Sequence, residues 1–232
     1  MREALAARAS VRFLFVAADH PDAGALTAAA EAAGAVVTRA TPGVLEALSE
    51  AATPQGVVAV VEMGDSPLSS LPAGADLVLV LDRIRDPGNA GTLVRSAVAA
   101  GAAAVVFTTG SVDVYSPKTV RASAASLFRA TIVRDAALAE VSAHLSERGF
   151  VVVGADAGAE TPYDSLDYTR PVAFVVGNEA WGIPEEDRAL LTDAVTIPMP
   201  GDAESLNAGI AGSMLLFEAV RQRRGRLGGT AD

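Results

Sequence analysis

From Leu77 onward the chain alternates short, continuously apolar runs with helical stretches, and this alternation restricts its possible folds more than any other feature. The runs "LVLVLD" (Leu77 to Asp82), "AAVVFT" (Ala103 to Thr108), "FVVVGA" (Phe150 to Ala155) and "VAFVVGNE" (Val172 to Glu179) lack a polar face. Each is therefore expected to be covered on both sides, as a strand of a parallel sheet is. "AVTIP" (Ala194 to Pro198) reads as a further short strand. Helical periodicity is expected from about Asn89 to Ala100, across "SPKTVRASAASLFRA", from Ala136 to Arg148 with Gly149 as the stop, and from about Asn207 to Arg224. Such alternation implies an α/β fold with an open parallel sheet and right-handed crossovers.

Ahead of this region, "GDSPLSSLPAGAD" (Gly64 to Asp76) has the Gly, Pro and Ser content of a linker. Before it, Val11 to Ala17 reads as a strand, "AGALTAAAEAAG" as a helix ending at Gly34, "VLEALSE" as a short helix, and Gly56 to Glu62 as a buried strand. The expected organisation is a small α/β domain over 1–63, a linker over 64–76 and the sheet domain over 77–232.

Composition removes several kinds of chemistry. There is no cysteine, so thiolate metal sites, disulfides and cysteine nucleophiles are excluded. His20 and His144 are the only histidines, too few for a histidine metal cluster; no metal is expected, and His144 is expected on a helix surface. No apolar run reaches the length of about 18 residues that a membrane span needs. The N-terminus lacks the apolar core of a signal peptide, so a cytoplasmic protein without membrane contact is expected. The net charge of −10 opposes general nucleic-acid binding, although local cationic clusters can override a global sum.

Ligands in open parallel sheets sit beyond the carboxyl ends of the strands, where three loops stand out. "DRIRDPGNAGTLVRSAVAAG" (Asp82 to Gly101) holds a strong turn, Asn89 as a good helix N-cap, and Arg95 in an otherwise apolar helix, either a functional guanidinium or a surface ion pair. "FVVGNEAWGI" (Phe174 to Ile183) runs a strand into Gly177, which allows a ligand close to the backbone. Glu179 there is either a ligand contact or a helix cap, and the sole tryptophan follows. "IPMPGDAESLNAGIAGSMLLFE" (Ile197 to Glu218) leads through Pro198, Pro200 and Gly201 to Ser205 and Asn207, two cap candidates where one helix start needs one. Leu206, Ile210, Met214 and Phe217 follow helical spacing, and Ala208, Gly209, Ala211, Gly212 and Ser213 form a small-residue face suited to the sheet or to a partner subunit. No G-x-G-x-x-G follows a strand, and the only lysine, Lys118, follows Pro117, which excludes a P-loop.

The segments "DPGNAGTLVRSA", "VVGNEAWGI" and "IPMPGDAESLNAGIA" resemble, in content, order and spacing, the three motifs of the SpoU branch of the SPOUT RNA methyltransferases, over about Leu77 to Arg224. The N-terminal unit, ending in "TPQGVVAVVE", resembles the small ribosomal-protein-like substrate domain of many members, without the further helix and strand usual at its start. The resemblance implies a deep C-terminal trefoil knot, a homodimer and S-adenosylmethionine as cofactor. It implies cofactor contacts from Gly177, Ile197, Met199 and Leu206, and a catalytic site of Asn89, Arg95, Glu179, Ser205 and Asn207. The implied reaction is methyl transfer to a ribose 2′-hydroxyl of RNA, with 23S ribosomal RNA favoured over transfer RNA. Arginine is a poor base because it stays protonated up to about pH 12, so Arg95 is expected to clamp a phosphate and stabilise the developing alkoxide. Arg121 and Arg129 are candidates for RNA contact, and the cluster Arg221, Arg223, Arg224 and Arg226 either touches phosphate or complements the helix dipole. Two other readings are open: a non-catalytic knotted RNA-binding dimer, which would not bind the cofactor, and a nicotinamide oxidoreductase, which would need the absent dinucleotide fingerprint.

Overall fold

The computed structural model describes residues 1–49, 54–202 and 205–228, with side chains as far as residue 225. These residues form two compact units, Met1–Gly64 and Asp65–Asp232.

The first unit runs α1 (Arg2–Ala6), β1 (Ser10–Ala17), α2 (Ala23–Ala32), β2 (Val36–Ala40), α3 (Pro42–Leu48) and β3 (Val57–Glu62). The strand order is β2-β1-β3, with β1 parallel to β2 and antiparallel to β3. Leu14 and Val16 of β1 pack with Leu26, Ala30 and Leu45 into the small core. Two expectations change here. The segment "VVTRA" forms β2 although no apolar run marks it, because it is an edge strand with Val36 59 % exposed. Strand β3, expected to be buried, has no fully buried residue; it is the opposite edge of a three-stranded sheet.

The second unit contains β4 (Leu77–Leu81), α4 (Pro87–Ala100), β5 (Ala104–Thr108), α5 (Pro117–Ala122), β6 (Ile132–Ala136), α6 (Leu138–Glu147), β7 (Val151–Ala155), β8 (Val172–Val176), β9 (Asp193–Val195) and α7 (Ala208–Gly228). Its six strands lie in the order β6-β5-β4-β8-β7-β9, and every neighbouring pair is parallel. All residues of β4, β5 and β8 are buried, which is why their sequences carry no polar alternation. Within the stretch 64–76, Leu68 and Leu71 are buried in the core beside Val78, Val106 and Val175.

Residues Ile132 to Ala136 make an edge strand that the sequence reading passed over, so the following helix starts at Leu138 and not at Ala136. Asp135 in this strand has φ 58°, and the register with β5 shifts between Phe107 and Thr108, an irregularity that breaks the apolar pattern. His144, expected on the surface, is half-buried, and its Nε2 has no hydrogen-bond partner among the described residues. No described helix is long and apolar enough to cross a membrane.

Helix α7 turns its expected small-residue face inward and leaves two of its large residues exposed. Ile210 and Phe217 are 52 % and 47 % exposed, while Gly209, Gly212, Leu215, Leu216 and Ala219 are buried. A Cβ on Gly212 would lie 2.5 Å from Leu93 Cδ2 and 2.8 Å from Val176 Cγ2, so the small-residue face fits against α4 and the end of β8. The hydroxyls of Ser96 and Ser213 meet across this seam at 2.7 Å. Gly212→Val is accordingly expected to destabilise the protein by about 2–3 kcal/mol through overpacking, read as a lower urea midpoint at unchanged slope.

Candidate active site

The carboxyl end of β4 leads into the turn before α4. Asp86 caps that helix, its Oδ1 accepting from the Asn89 N–H at 2.8 Å, and Pro87 occupies the first turn. The cap is thus Asp86 and not Asn89, which leaves the Asn89 side chain available. That side chain is 8 % exposed and donates through Nδ2 to Glu179 Oε1 at 3.0 Å.

Glu179 lies just past β8, in a turn that Asn178 holds shut. The backbones of Asn178 and Gly182 exchange hydrogen bonds at 3.1 and 2.8 Å. Asn178 Oδ1 accepts from the Ala180 N–H at 2.8 Å, and its Nδ2 donates to the Arg83 carbonyl at 2.7 Å. A Cβ on Gly177 would lie 2.4 Å from the Gly182 carbonyl carbon, so this glycine is required by the turn's own backbone. Gly177→Ala is expected to push the turn away, with a loss of about 3 kcal/mol and of any ligand binding nearby, measurable by thermal unfolding and calorimetry.

Besides Asn89, the Glu179 carboxylate accepts from the N–H groups of Arg85 at 3.1 Å and Asp86 at 3.0 Å. It therefore caps no following helix; it ties the β8 turn to the β4 turn. Desolvation pushes its acidity down, and the bonds donated by Asn89 and by the Arg85, Glu179 and Asp86 N–H groups outweigh it, holding the carboxyl below the usual glutamate value.

Asn207 completes the chain of contacts. Its Nδ2 donates to Asn89 Oδ1 at 2.8 Å, and its Oδ1 accepts from the Ile210 N–H at 3.2 Å at the start of α7. Of the two cap candidates there, Asn207 is the one in use. The three loops thus meet in one series, Asn207 to Asn89 to Glu179 to the Arg85–Asp86 backbone.

A cavity of about 350 Å³ adjoins this series at the ends of β7, β8 and β9. Gly177, Ile197, Met199 and Leu206 all line it, as do Ser205 and Glu179. Among the described residues its charged lining consists of the carboxylates Asp156 and Glu179. Asp156, which the sequence reading did not single out, also pairs with Arg188 at 2.7 Å. A volume of ~300–1,000 Å³ with apolar walls and a few polar groups is ordinary for a small-molecule site.

Arg95 stands apart from these contacts. It is exposed on α4 and, among the described residues, makes neither a hydrogen bond nor an ion pair, so the surface salt bridge allowed by its sequence is absent. Arg121 and Arg129 are likewise exposed. Within the C-terminal cluster, Arg221 pairs with Glu218 at 2.6 Å. Arg223 donates to the carbonyls of Tyr168 at 3.0 Å and Asp76 at 2.8 Å, a docking role that neither phosphate contact nor dipole complementation describes. Arg224 is exposed, and the Arg226 side chain lies outside the described residues.

Sequence reasoning missed the lock beneath the β4 turn. Asp82 is 1 % exposed and accepts from Thr108 Oγ1 at 2.8 Å and from Arg83 Nη2 at 2.7 Å. Arg83 also pairs with Asp187 and adopts φ 54°. A charged Asp-x-x-x-Asp turn next to a five-residue apolar strand was the available signal. Among the described residues no group of three or more His, Asp or Glu could hold a metal ion.

Residues 76–217 match the model of the SpoU rRNA Methylase family, and residues 1–67 match that of RNA 2′-O ribose methyltransferase substrate binding. The chain is 41 % identical over 176 residues to a 23S rRNA (uridine(2479)-2′-O)-methyltransferase of Streptomyces viridochromogenes, covering 73 % of this chain and 61 % of that protein. It resembles the crystal structure of the SpoU methyltransferase AviRb from Streptomyces viridochromogenes in complex with AdoMet, with a TM-score of 0.86, 34 % identity, and 96 % and 87 % of the two chains covered. It also resembles an AdoMet-bound rRNA methyltransferase from Sinorhizobium meliloti, with a TM-score of 0.85, 32 % identity, and 95 % and 83 % covered. The chain spans about half to three fifths of the length of several curated relatives, 61 %, 50 % and 48 % in three cases.

Proposed function

The chain belongs to the SpoU rRNA methylase family, and on that footing we propose that it transfers a methyl group from S-adenosylmethionine to a ribose 2′-hydroxyl of RNA, with 23S ribosomal RNA as substrate. The observation that carries this reading is the series Asn207–Asn89–Glu179, which joins the three family motifs and reaches one cavity through Glu179. The preference for ribosomal RNA comes from the 23S rRNA enzymes it resembles and from the substrate-binding match over residues 1–67.

The residues fit the cofactor. The cavity has apolar walls from Ile197, Met199, Leu206 and Leu215, and its charged lining is acidic, as a sulfonium with an ammonium group requires. When bound, S-adenosylmethionine supplies an electrophilic methyl carbon. The protein then has to orient the hydroxyl and help it lose one proton. Asn207 and Asn89 fix the rim with side-chain amides, and Glu179 holds the two turns together. Ser205, exposed beside Leu206, is available to the ribose. Arg95, exposed and unpaired among the described residues, clamps the neighbouring phosphate and stabilises the alkoxide as it forms. The hydroxyl proton passes to that phosphate or to water.

The cavity residues and α7 belong to the C-terminal trefoil knot of this family, a rare exception to unthreaded chains. The exposed stripe of Leu206, Ile210 and Phe217 supports a homodimer through this unit, because large apolar side chains gain by leaving water. Ile210→Asp is expected to shift the protein to monomer in sedimentation at micromolar concentration; an unchanged dimer would assign the stripe elsewhere. The first unit acts as an RNA-binding domain of ribosomal-protein-like type, and the reaction belongs to the cytoplasm, where ribosomal RNA is made.

Calorimetric titration with S-adenosylmethionine tests the cofactor assignment. Binding by the native protein, weakened at least several-fold in Asn207→Ala, is expected. No heat at millimolar cofactor, with RNA absent and with RNA present, would point to a non-catalytic RNA-binding role; heat only with RNA present would mean that the site forms on the substrate.

A further inference from the structure

Trp181 is the only tryptophan of the chain and is 55 % exposed, although a large aromatic gains more than most residues from burial. It occupies the tip of the turn that Asn178 and Gly182 close, between Ala180, whose N–H is bonded by Asn178, and Gly182 with φ 67°. The neighbouring Glu179 is tied to Arg85, Asp86 and Asn89. The indole is therefore presented by a pinned backbone. Such a platform loses little entropy when something settles on it.

The Arg85 guanidinium lies 5.8 Å from the ring centroid, close enough for cation–π attraction. Arg85 is exposed and has no ion pair among the described residues, although this chain carries ten more negative than positive charges. The same segment of backbone thus gives Glu179 its N–H partner and carries a free cation over an exposed aromatic face. An aromatic face beside an uncommitted guanidinium is the chemistry that receives an unpaired nucleobase and its phosphate. A base within a duplex keeps both faces covered by its neighbours, so only an unstacked nucleotide can use such a seat.

Resting on the methyltransferase reading above, we propose that Trp181 and Arg85 form the seat for an unpaired base of the RNA substrate. The base stacks on the indole, and Arg85 meets the base edge or its phosphate. The ribose attached to that base is thereby held beside the Asn89–Asn207 rim. Selection of an unpaired nucleotide resides in this pair; Trp181 also borders the cavity, whereas Arg85 does not.

The single tryptophan makes the test direct, since all indole emission comes from Trp181. Unmodified 23S rRNA transcribed in vitro is added to the protein at low salt, with emission and filter retention read on the same samples; S-adenosylmethionine alone is added in parallel. Because Trp181 borders the cavity, the protein is first saturated with cofactor; further quenching that follows RNA retention is expected. Trp181→Ala should raise the KM for RNA roughly tenfold or more, with Trp181→Phe recovering most of it. Arg85→Ala, outside the cavity lining, should raise the same KM with cofactor affinity within about twofold of the native value. Retained RNA without an emission change overturns the seat while leaving the methyltransferase reading intact. Emission that cofactor alone changes fully, with no further change when RNA is retained, overturns it too, by assigning the ring to the methyl donor. RNA that is neither retained nor methylated overturns both.

Discussion

Arg95→Ala is expected to lower kcat for methyl transfer by about 10²–10³-fold, the usual effect of removing one group that stabilises developing negative charge. The protein itself should hardly notice. Arg95 is exposed and makes no ion pair or hydrogen bond among the described residues, so its loss should change unfolding free energy by no more than about 0.5 kcal/mol. Cofactor affinity should also stay close to native, because Arg95 does not line the cavity. Arg95→Lys separates two roles. A point charge preserves attraction to phosphate but not the two-pronged geometry of guanidinium, so the variant should recover RNA affinity but only part of kcat. Full activity in Arg95→Lys would mean that the fork geometry is unnecessary. A large fall in stability in Arg95→Ala would mean that the residue is structural.

Asn89→Asp is the second large effect, and its size depends on pH. Asn89 Nδ2 lies 3.0 Å from Glu179 Oε1, so the substitution sets one carboxylate against another in a position that is 8 % exposed. The pair cannot ionise fully without repulsion, which raises the folded-state pKa of one of them. A raised folded pKa means that the folded state binds more protons than the unfolded chain, so stability grows as pH falls toward the folded value. The variant should lose about 2–3 kcal/mol at pH 7 and regain part of it near pH 5. The native protein should behave oppositely in this respect. Burial raises the Glu179 pKa, and the Asn89 and backbone bonds more than reverse this, leaving it below the ordinary value. The contribution of Glu179 is therefore present above the unfolded carboxylate pKa and lost as pH falls through the lower folded one. Urea midpoints of the two proteins at pH 5 and pH 7 decide the matter: parallel changes would show that Asn89 and Glu179 do not interact. Turnover of Asn89→Asp should be at least about a hundredfold down at pH 7, because the rim amide that meets Asn207 loses its fixed position.

The central sheet was readable because burial on both faces forces uninterrupted apolar strands, and β4, β5 and β8 show that pattern without exception. Edge strands β2 and β6 were not, since one unpaired side and one open face relax the requirement. Helix α7 was readable in part: its small-residue face was expected against the sheet or a partner subunit, and Gly212 and Ser213 do pack inward, whereas the exposure of Ile210 and Phe217 was not legible from their helical spacing. At the candidate site, the three loops announced themselves by polar residues at strand ends. Which residue caps which helix did not, because Asp86 and Asn89 are both good caps and only the folded chain selects one. The same holds for Gly177. A glycine after a strand signals close approach, but the group that approaches is the Gly182 backbone. The contacts of Asn89 with Glu179 and Asn207 span about ninety and more than a hundred residues, and no local pattern could have joined them.

The transfer itself can be followed with S-adenosylmethionine carrying a tritiated methyl group, incubated with the purified protein and unmodified 23S rRNA and followed by complete alkaline hydrolysis. A methyl group on a ribose 2′-oxygen blocks cleavage at the adjacent phosphodiester. Label recovered in an alkali-resistant dinucleotide, and absent with Arg95→Ala, is the predicted result. Label released in mononucleotides would mean methylation of a base, and no incorporation by a protein that binds both cofactor and RNA would contradict catalysis at this site.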